Sequence, residues 1–259
     1  MAETIAVLSL KGGTGKTTTV RTLADVFRRI GLDVLAIDLD PQGNLSDYFD
    51  VPPDASPTVA DVLSGNAKAP AATHDGIVPA TPILAEVERS MSGKMGRELV
   101  LRKALKDARK QHDVILIDCP PTLGLLTING LVAADWALIS SEAQYFALQG
   151  VEGVLEALEQ SKEFYNPDLE VLGIVLNIAD MRTVHSREAY EALKEHYGEK
   201  VFETVVRSSI AYAESAEKAV SILDHRPDLG ADYYALADEV LVRTGLKDAR
   251  KKLKPLLAG

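Results

Sequence analysis

Five near-continuous apolar runs of strand length, separated by longer stretches with helical spacing, constrain this 259-residue chain more than any other feature. They are Ile5–Ser9, Val34–Ile37, Val114–Ile117, Trp136–Ser140 and Val171–Leu176. A strand that is apolar at every residue, not at alternate ones, is buried on both faces, as happens when helices cover both sides of a parallel sheet. Ile77–Ala80 and Val201–Val205 are weaker candidates and bring the expected sheet to about seven strands. Helices are expected at Thr17–Arg29, Arg97–Lys110, Leu148–Lys162, Ser186–Glu195 and Asp232–Thr244, with Gly31 closing the first in the left-handed conformation. The alternation predicts an α/β fold with a predominantly parallel sheet and helices on both faces.

Prolines at 52, 53, 57, 70, 79 and 82 mark an irregular surface excursion, with strand candidates continuing on both sides of it. At about 150 residues per domain the length allows one or two domains. With no internal repeat, a single domain over residues 1–259 is expected, ending in a basic tail from residue 246. A composition that is 46% hydrophobic and 25% charged excludes a disordered chain. The one cysteine, Cys119, excludes a disulfide framework and any metal site built from several thiolates of one chain. The start Met1-Ala2-Glu3-Thr4 has no signal-peptide pattern, and no apolar run approaches spanning length, so a cytoplasmic protein is expected. A net charge of −10 argues against a surface that is basic throughout, but leaves room for a local basic patch.

The first apolar run leads into Lys11-Gly12-Gly13-Thr14-Gly15-Lys16-Thr17-Thr18, and a helix follows. Glycines let the backbone wrap phosphates, so that N–H groups at the start of a helix point at them. Lys16 supplies charge near the β and γ phosphates, and the Thr17 hydroxyl reaches Mg²⁺. The plain phosphate-loop pattern needs a glycine at position 10, where this chain has Leu10; the variant KGGxGKTT stands instead, with Lys11 at its head. Three fixed glycines alone arise by chance about once in 3,000 start positions.

Asp38 and Asp40 follow the second run, and Asp118 ends the third. Ligands of open α/β sheets lie beyond the carboxyl ends of strands, so these carboxylates are expected at the phosphates. There they can hold Mg²⁺, with Thr17, or orient the attacking water. Cys119, beside Asp118, is expected to be a small buried residue without reactivity. The five histidines show no ligand spacing.

Four blocks, KGGTGKTTT at 11–19, DLDPQGN at 38–44, ILIDCPPTLGLLTINGL at 115–131 and YFALQGVEGVL at 145–155, resemble the ParA family of deviant Walker A ATPases. The likeness covers nearly the whole chain and is nearest the short, Soj-like subtype; MinD is a related protein. It implies a P-loop NTPase with ATP and Mg²⁺ as cofactors. The loop residues Lys11, Gly12, Gly13, Thr14, Gly15, Lys16, Thr17 and Thr18, together with Pro41, would bind the nucleotide. Asp40 would position the hydrolytic water, Asp118 would support Mg²⁺, and Asp38 would belong to the first switch. Asn177 matches the position that reads the edge of adenine. Lys11, for which one phosphate loop has no use in cis, would reach the nucleotide of the partner subunit, so that ATP drives homodimerisation.

The resemblance also implies non-specific binding of duplex DNA, nucleoid association in the ATP state, and a ParB-like partner that activates hydrolysis. Arg182, Arg207 and Lys218 are the candidate DNA contacts. The chain departs from the family where Soj-like members carry PRNVRLAEA: aligned on Glu214, the two arginines become Ser208 and Ala211. The alternative is a MinD-like membrane-associated positioning ATPase. The tail from Leu246 to Leu257 is basic, but it lacks an aromatic anchor, and Pro255 is expected to interrupt it. Cluster-carrying relatives would need a bridging cysteine pair.

Overall fold

The computed structural model describes residues 1–143 and 147–257. Seven strands form one sheet in the order β3-β2-β4-β1-β5-β6-β7. They are β1 (Glu3–Leu8), β2 (Val34–Asp38), β3 (Ile77–Val78), β4 (Val114–Asp118), β5 (Trp136–Glu142), β6 (Glu170–Ala179) and β7 (Val201–Arg207). Every pairing between them is parallel. The strand order turns in both directions from β1, which places the loop after β1 where crossovers leave to opposite sides.

The continuous apolar runs have the expected cause. In β1, Ile5 and Val7 enter the hydrophobic layer on one face, while Ala6 and Leu8 enter the layer on the other. In β4, Val114 and Leu116 face the first layer, and Ile115 and Ile117 the second. A side-chain period of two on a sheet covered on both sides favours apolar residues at successive positions, with buried Thr4, Ser140 and Asn177 as exceptions.

Helices α1 (Lys16–Arg29), α2 (Asn44–Tyr48), α3 (Val59–Ser64) and α4 (Ile83–Met91) precede β4 together with α5 (Val100–Ala104) and α6 (Ala108–Gln111). After β4 come α7 (Leu125–Ala133), α8 (Ala147–Phe164), α9 (Val184–Tyr197), α10 (Ala211–Glu217), α11 (Ile222–His225), α12 (Pro227–Arg243) and α13 (Lys247–Leu257). Gly31 ends the first helix at φ +76, as expected. Helix α7 approaches the sheet so closely that a Cβ on Gly130 would meet the Cys119 sulfur at 2.8 Å. Both positions therefore demand small residues.

Three expectations need correction. The helix expected over Arg97–Lys110 is a 3-10 turn followed by two short helices, α5 and α6. The proline-rich excursion is not merely surface: α3 within it sends Val59, Ala60, Val62 and Leu63 into the core. Pro255 does not stop the tail, because α13 is docked on the body through buried Ala249 and Leu253 before the proline is reached. Tyr145 and Phe146, which open the fourth family block, lie outside the described residues. Truncating the docked side chain, Leu253→Ala, is expected to cost about 2–5 kcal/mol, read as a lower urea midpoint with an unchanged slope.

Candidate functional site

The phosphate loop joins β1 to α1, and its curvature comes from Gly13 and Gly15 at φ +76 and +85. Lys16, Thr17 and Thr18 form the first turn of α1, whose N–H groups have no partners within the helix. Lys16 is buried, while Gly12 and Gly13 lie exposed with no atom within 4 Å of where a Cβ would stand.

A buried lattice of side chains props the loop from beneath. The Asn177 amide nitrogen donates towards Thr14 O at 3.1 Å, Ser140 Oγ at 2.7 Å and Thr19 Oγ1 at 3.3 Å. Ser140 in turn donates to Thr14 O at 2.7 Å. A Cβ at Gly15 would stand 3.2 Å from that same Asn177 nitrogen, so the loop and the prop fit only around a glycine. Asn177 Oδ1 remains buried without a hydrogen-bond partner.

Asp38 and Asp118 end neighbouring strands in register and are both buried. Asp38 accepts from Asp40 N at 3.0 Å, Ser46 N at 3.0 Å and Ser46 Oγ at 2.8 Å. Asp118 accepts from the Thr17 hydroxyl at 2.6 Å through Oδ2, while its Oδ1 has no partner. Burial, and then the Asp38 charge, push Asp118 up to about 8, against the pull of the Thr17 hydrogen bond and of Lys16. Burial pushes Asp38 up to about 6, while its three donors favour the ionised form. Two buried carboxylates side by side thus hold a proton unless a cation joins them.

The residues fit Mg²⁺ in a specific way. Among the described residues no group of three His, Cys, Asp or Glu side chains is placed to hold a metal. Mg²⁺ bound through one or two protein groups and substrate phosphates needs no such cage, and Thr17 with the unpartnered Asp118 oxygen offers that pattern.

Asp40 and Pro41 stand half-buried in the turn after β2. Asp40 Oδ1 accepts from Gln42 N at 3.0 Å, and its carbonyl accepts from Gly43 N at 2.9 Å. Lys11, 57% exposed, pairs through its ammonium with Glu142 at 2.5 Å. The lysine that seemed to lack a role within its own chain therefore has a partner there. Cys119 is fully buried, and burial pushes its thiol well above the ordinary range, as expected of an inert residue.

Beside the loop opens a cavity of about 590 Å³. Gly15, Thr17, Thr18 and Asn177 form one wall, and Val206–Ser209 with Tyr212 form the other. The Tyr212 hydroxyl is a further buried polar atom without a partner. Arg207, a candidate DNA contact, lies in this wall, with Nε 2.9 Å from Asp232 and its guanidinium on the Asp228 carbonyl. Ser208 also lines the cavity, and Ala211 is buried at the start of α10, where an arginine has no room. Arg182, 90% exposed, is held by both Asp180 oxygens at 2.8 Å, while Lys218 is exposed at the end of α10.

The comparisons agree with this geometry. A family model described as an AAA domain matches residues 2–171. The chain is 39% identical over 245 residues to the chromosome-partitioning ATPase Soj of Thermus thermophilus, covering 92% of this chain and 95% of that one. The chain belongs to the ParA/Soj family of ATPases. A Mycobacterium smegmatis structure named cobyrinic acid a,c-diamide synthase, with ADP and magnesium, is 34% identical at a TM-score of 0.76, covering 87% of this chain and 95% of that chain. The septum site-determining protein MinD of Pyrococcus horikoshii, complexed with Mg-ADP, is 26% identical at 0.77, covering 95% of this chain and 99% of that chain.

Reading the ParA-like sequence alone misses three residues of this site. Ser140 ends the apolar run Trp136–Ser140 beside the loop, much as Asp118 follows the run Val114–Ile117. Glu142 ends β5 itself, two residues on. Ser46 has no such signal: its hydroxyl donates to Asp38 and accepts from Ala80 N at 2.9 Å, tying the turn after β2 to the end of β3. Ser46→Ala is expected to destabilise the protein by about 1–3 kcal/mol, because it strips a donor from a buried carboxylate and orphans a buried N–H. Urea unfolding measures the loss.

Proposed function

We propose that this chain is a Mg²⁺-dependent ATPase of one domain that dimerises on ATP and binds duplex DNA without sequence preference. It partitions or positions a DNA or protein cargo with a ParB-like partner that triggers hydrolysis. The observation that carries the reading is the continuous path from the 590 Å³ cavity to the phosphate loop and the Thr17–Asp118 pair. A base and ribose fill the cavity, with the buried, unpartnered Asn177 Oδ1 as the acceptor for an exocyclic amino group. The triphosphate runs onto the N–H groups of residues 12–18, with Lys16 balancing its charge.

Thr17 and Asp118 would hold Mg²⁺, which would supply positive charge against the phosphates. Asp38 keeps the turn after β2 in place through Asp40 N and Ser46, and so aims the Asp40 carboxylate. Asp40 orients a water for in-line attack on the γ phosphorus; the bond to the bridging oxygen breaks, giving ADP and phosphate. The partner subunit's Lys11 completes the site, which requires that Lys11 first leave Glu142. A site completed in trans binds nucleotide better in the dimer than in the monomer, so ATP favours association.

Against the membrane alternative stands the docking of the tail. A membrane-surface helix needs a free apolar face, and α13 spends Ala249 and Leu253 on the protein's own core. No described helix is long and apolar enough to cross a bilayer. The cytoplasm, with nucleoid association in the ATP state, is the proposed location.

Replacing the two lysines separates charge in cis from charge in trans. Lys16→Gln is expected to lose ATP binding, whereas Lys11→Gln keeps ATP on the monomer and loses the dimer, as read by nucleotide titration and size-exclusion chromatography. Equal loss of ATP affinity in both would remove the trans role of Lys11. Asp40→Ala is expected to bind Mg²⁺ and ATP and to accumulate as a dimer, with turnover at least about a hundredfold slower; turnover at the parent rate would exclude Asp40 as the residue that positions water.

A further inference from the structure

We propose, on the reading of the 590 Å³ cavity as the base site, that Ile178 packs its side chain on the face of the nucleotide base, aimed there by a strained bulge at the end of β6. Among the described residues, four positions other than glycine hold a positive φ: Asp50, Asp75, Ile178 and Ala219. Aspartate reaches that region through its short polar side chain, and alanine is small, whereas a β-branched residue there is a genuine outlier. Ile178, at φ +55, is the one β-branched residue of the four.

The strain has a geometric result. Between Leu176 and Ala179 β6 advances three residues while β7 advances two, from Val205 to Arg207, so β6 carries one extra residue. The carbonyls on either side of Ile178 record the same turn-over. Residues two apart in a regular strand present their carbonyls to the same neighbour. Here Asn177 O accepts from Ala143 N, after β5, at 3.2 Å, and Ala179 O accepts from Ser208 N, after β7, at 3.0 Å. Consecutive side chains of a regular strand point to opposite faces, yet Asn177 and Ile178 line one cavity. The bulge thus sets an apolar side chain beside the polar one that props the loop.

The core does not account for an isoleucine at this position. Ile178 is 37% exposed, although Asn177 before it and Ala179 after it are buried. Glycine, asparagine or aspartate would hold the same backbone at less cost. Strain of this kind persists where a ligand uses it. The further apolar lining of the cavity, Val206, Tyr212, Ala213 and Ala216, comes from β7 and α10, and the bond from Ser208 to Ala179 ties the bulge to that wall. A lining of aliphatic and aromatic side chains suits a flat heteroaromatic ring and not a phosphate. Adjacent residues then divide the base between them: Asn177 takes its edge and Ile178 its face.

The test compares Mg-ATP with the magnesium salt of ribose 5-triphosphate, which keeps the sugar and phosphates without the base, in titrations of the full chain. Ile178→Gly and Ile178→Asn both accept the left-handed backbone and remove the apolar branch. Each is expected to weaken ATP binding at least about fivefold, the order of leaving one aliphatic contact unmade, with ribose 5-triphosphate bound as by the parent. Ile178→Leu keeps an aliphatic side chain and is expected to hold ATP within about twofold of the parent. Equal weakening of both ligands would make Ile178 a support of the loop through Asn177 and overturn the proposal. Unchanged ATP affinity in both the Gly and Asn variants would also overturn it, with the base-site reading intact. If the parent binds ATP no better than ribose 5-triphosphate, the cavity is not a base site and both readings fail.

Discussion

Two buried carboxylates at neighbouring strand ends, Asp38 and Asp118, set the terms for the phosphate end of this protein. In register on β2 and β4, they cannot both be ionised in a dry pocket without help. The help is distributed unequally. Asp38 takes three donors from its own chain, whereas Asp118 takes one, from Thr17, and keeps an oxygen unpartnered. That asymmetry divides the labour: Asp38 organises the turn after β2, and Asp118 is left with capacity for a cation. A cation at the open Asp118 oxygen would take the place of the proton that the pair otherwise holds.

The same Asp38 reaches further than its own turn. Ser46 carries it to the end of β3, while Tyr48, two residues along α2, bonds Ser215 of α10 across the cavity. Arg21 on α1 packs over Phe49 at 4.1 Å and donates to Tyr48 O at 2.8 Å, fixing α2 against the first helix. The segment bearing Asp40 is therefore tied to the phosphate loop's helix on one side and to α10 on the other. Rigid attachment at both ends is what the proposed aiming of a water by Asp40 requires.

What the sequence discloses follows what each feature must bury. Strands covered on both faces carry near-continuous apolar runs, so β1, β2, β4, β5 and β6 are plain in the sequence. Helices α2 and α11, of five and four residues, are too short to show a helical period. Arg97–Lys110 misleads for a related reason: Leu101, Leu105 and Ala108 keep a helical spacing because one face is buried, while the backbone breaks between α5 and α6. Periodicity reports burial, not continuous hydrogen bonding. The phosphate loop and Asp118 are legible because glycines and a strand-end carboxylate answer local demands. Ser46, Ser140 and Glu142 are less so, since their roles exist only once distant segments meet.

The placement of charge gives the fold a division between its two ends. Acidic groups crowd the carboxyl edge of the sheet, where a metal and the lysines of the loop must neutralise them. Unpaired lysines gather at the amino edge, where no cofactor competes for them. At the loop end the Lys11 ammonium is held by Glu142 of its own chain, so any other contact it makes must first break that pair.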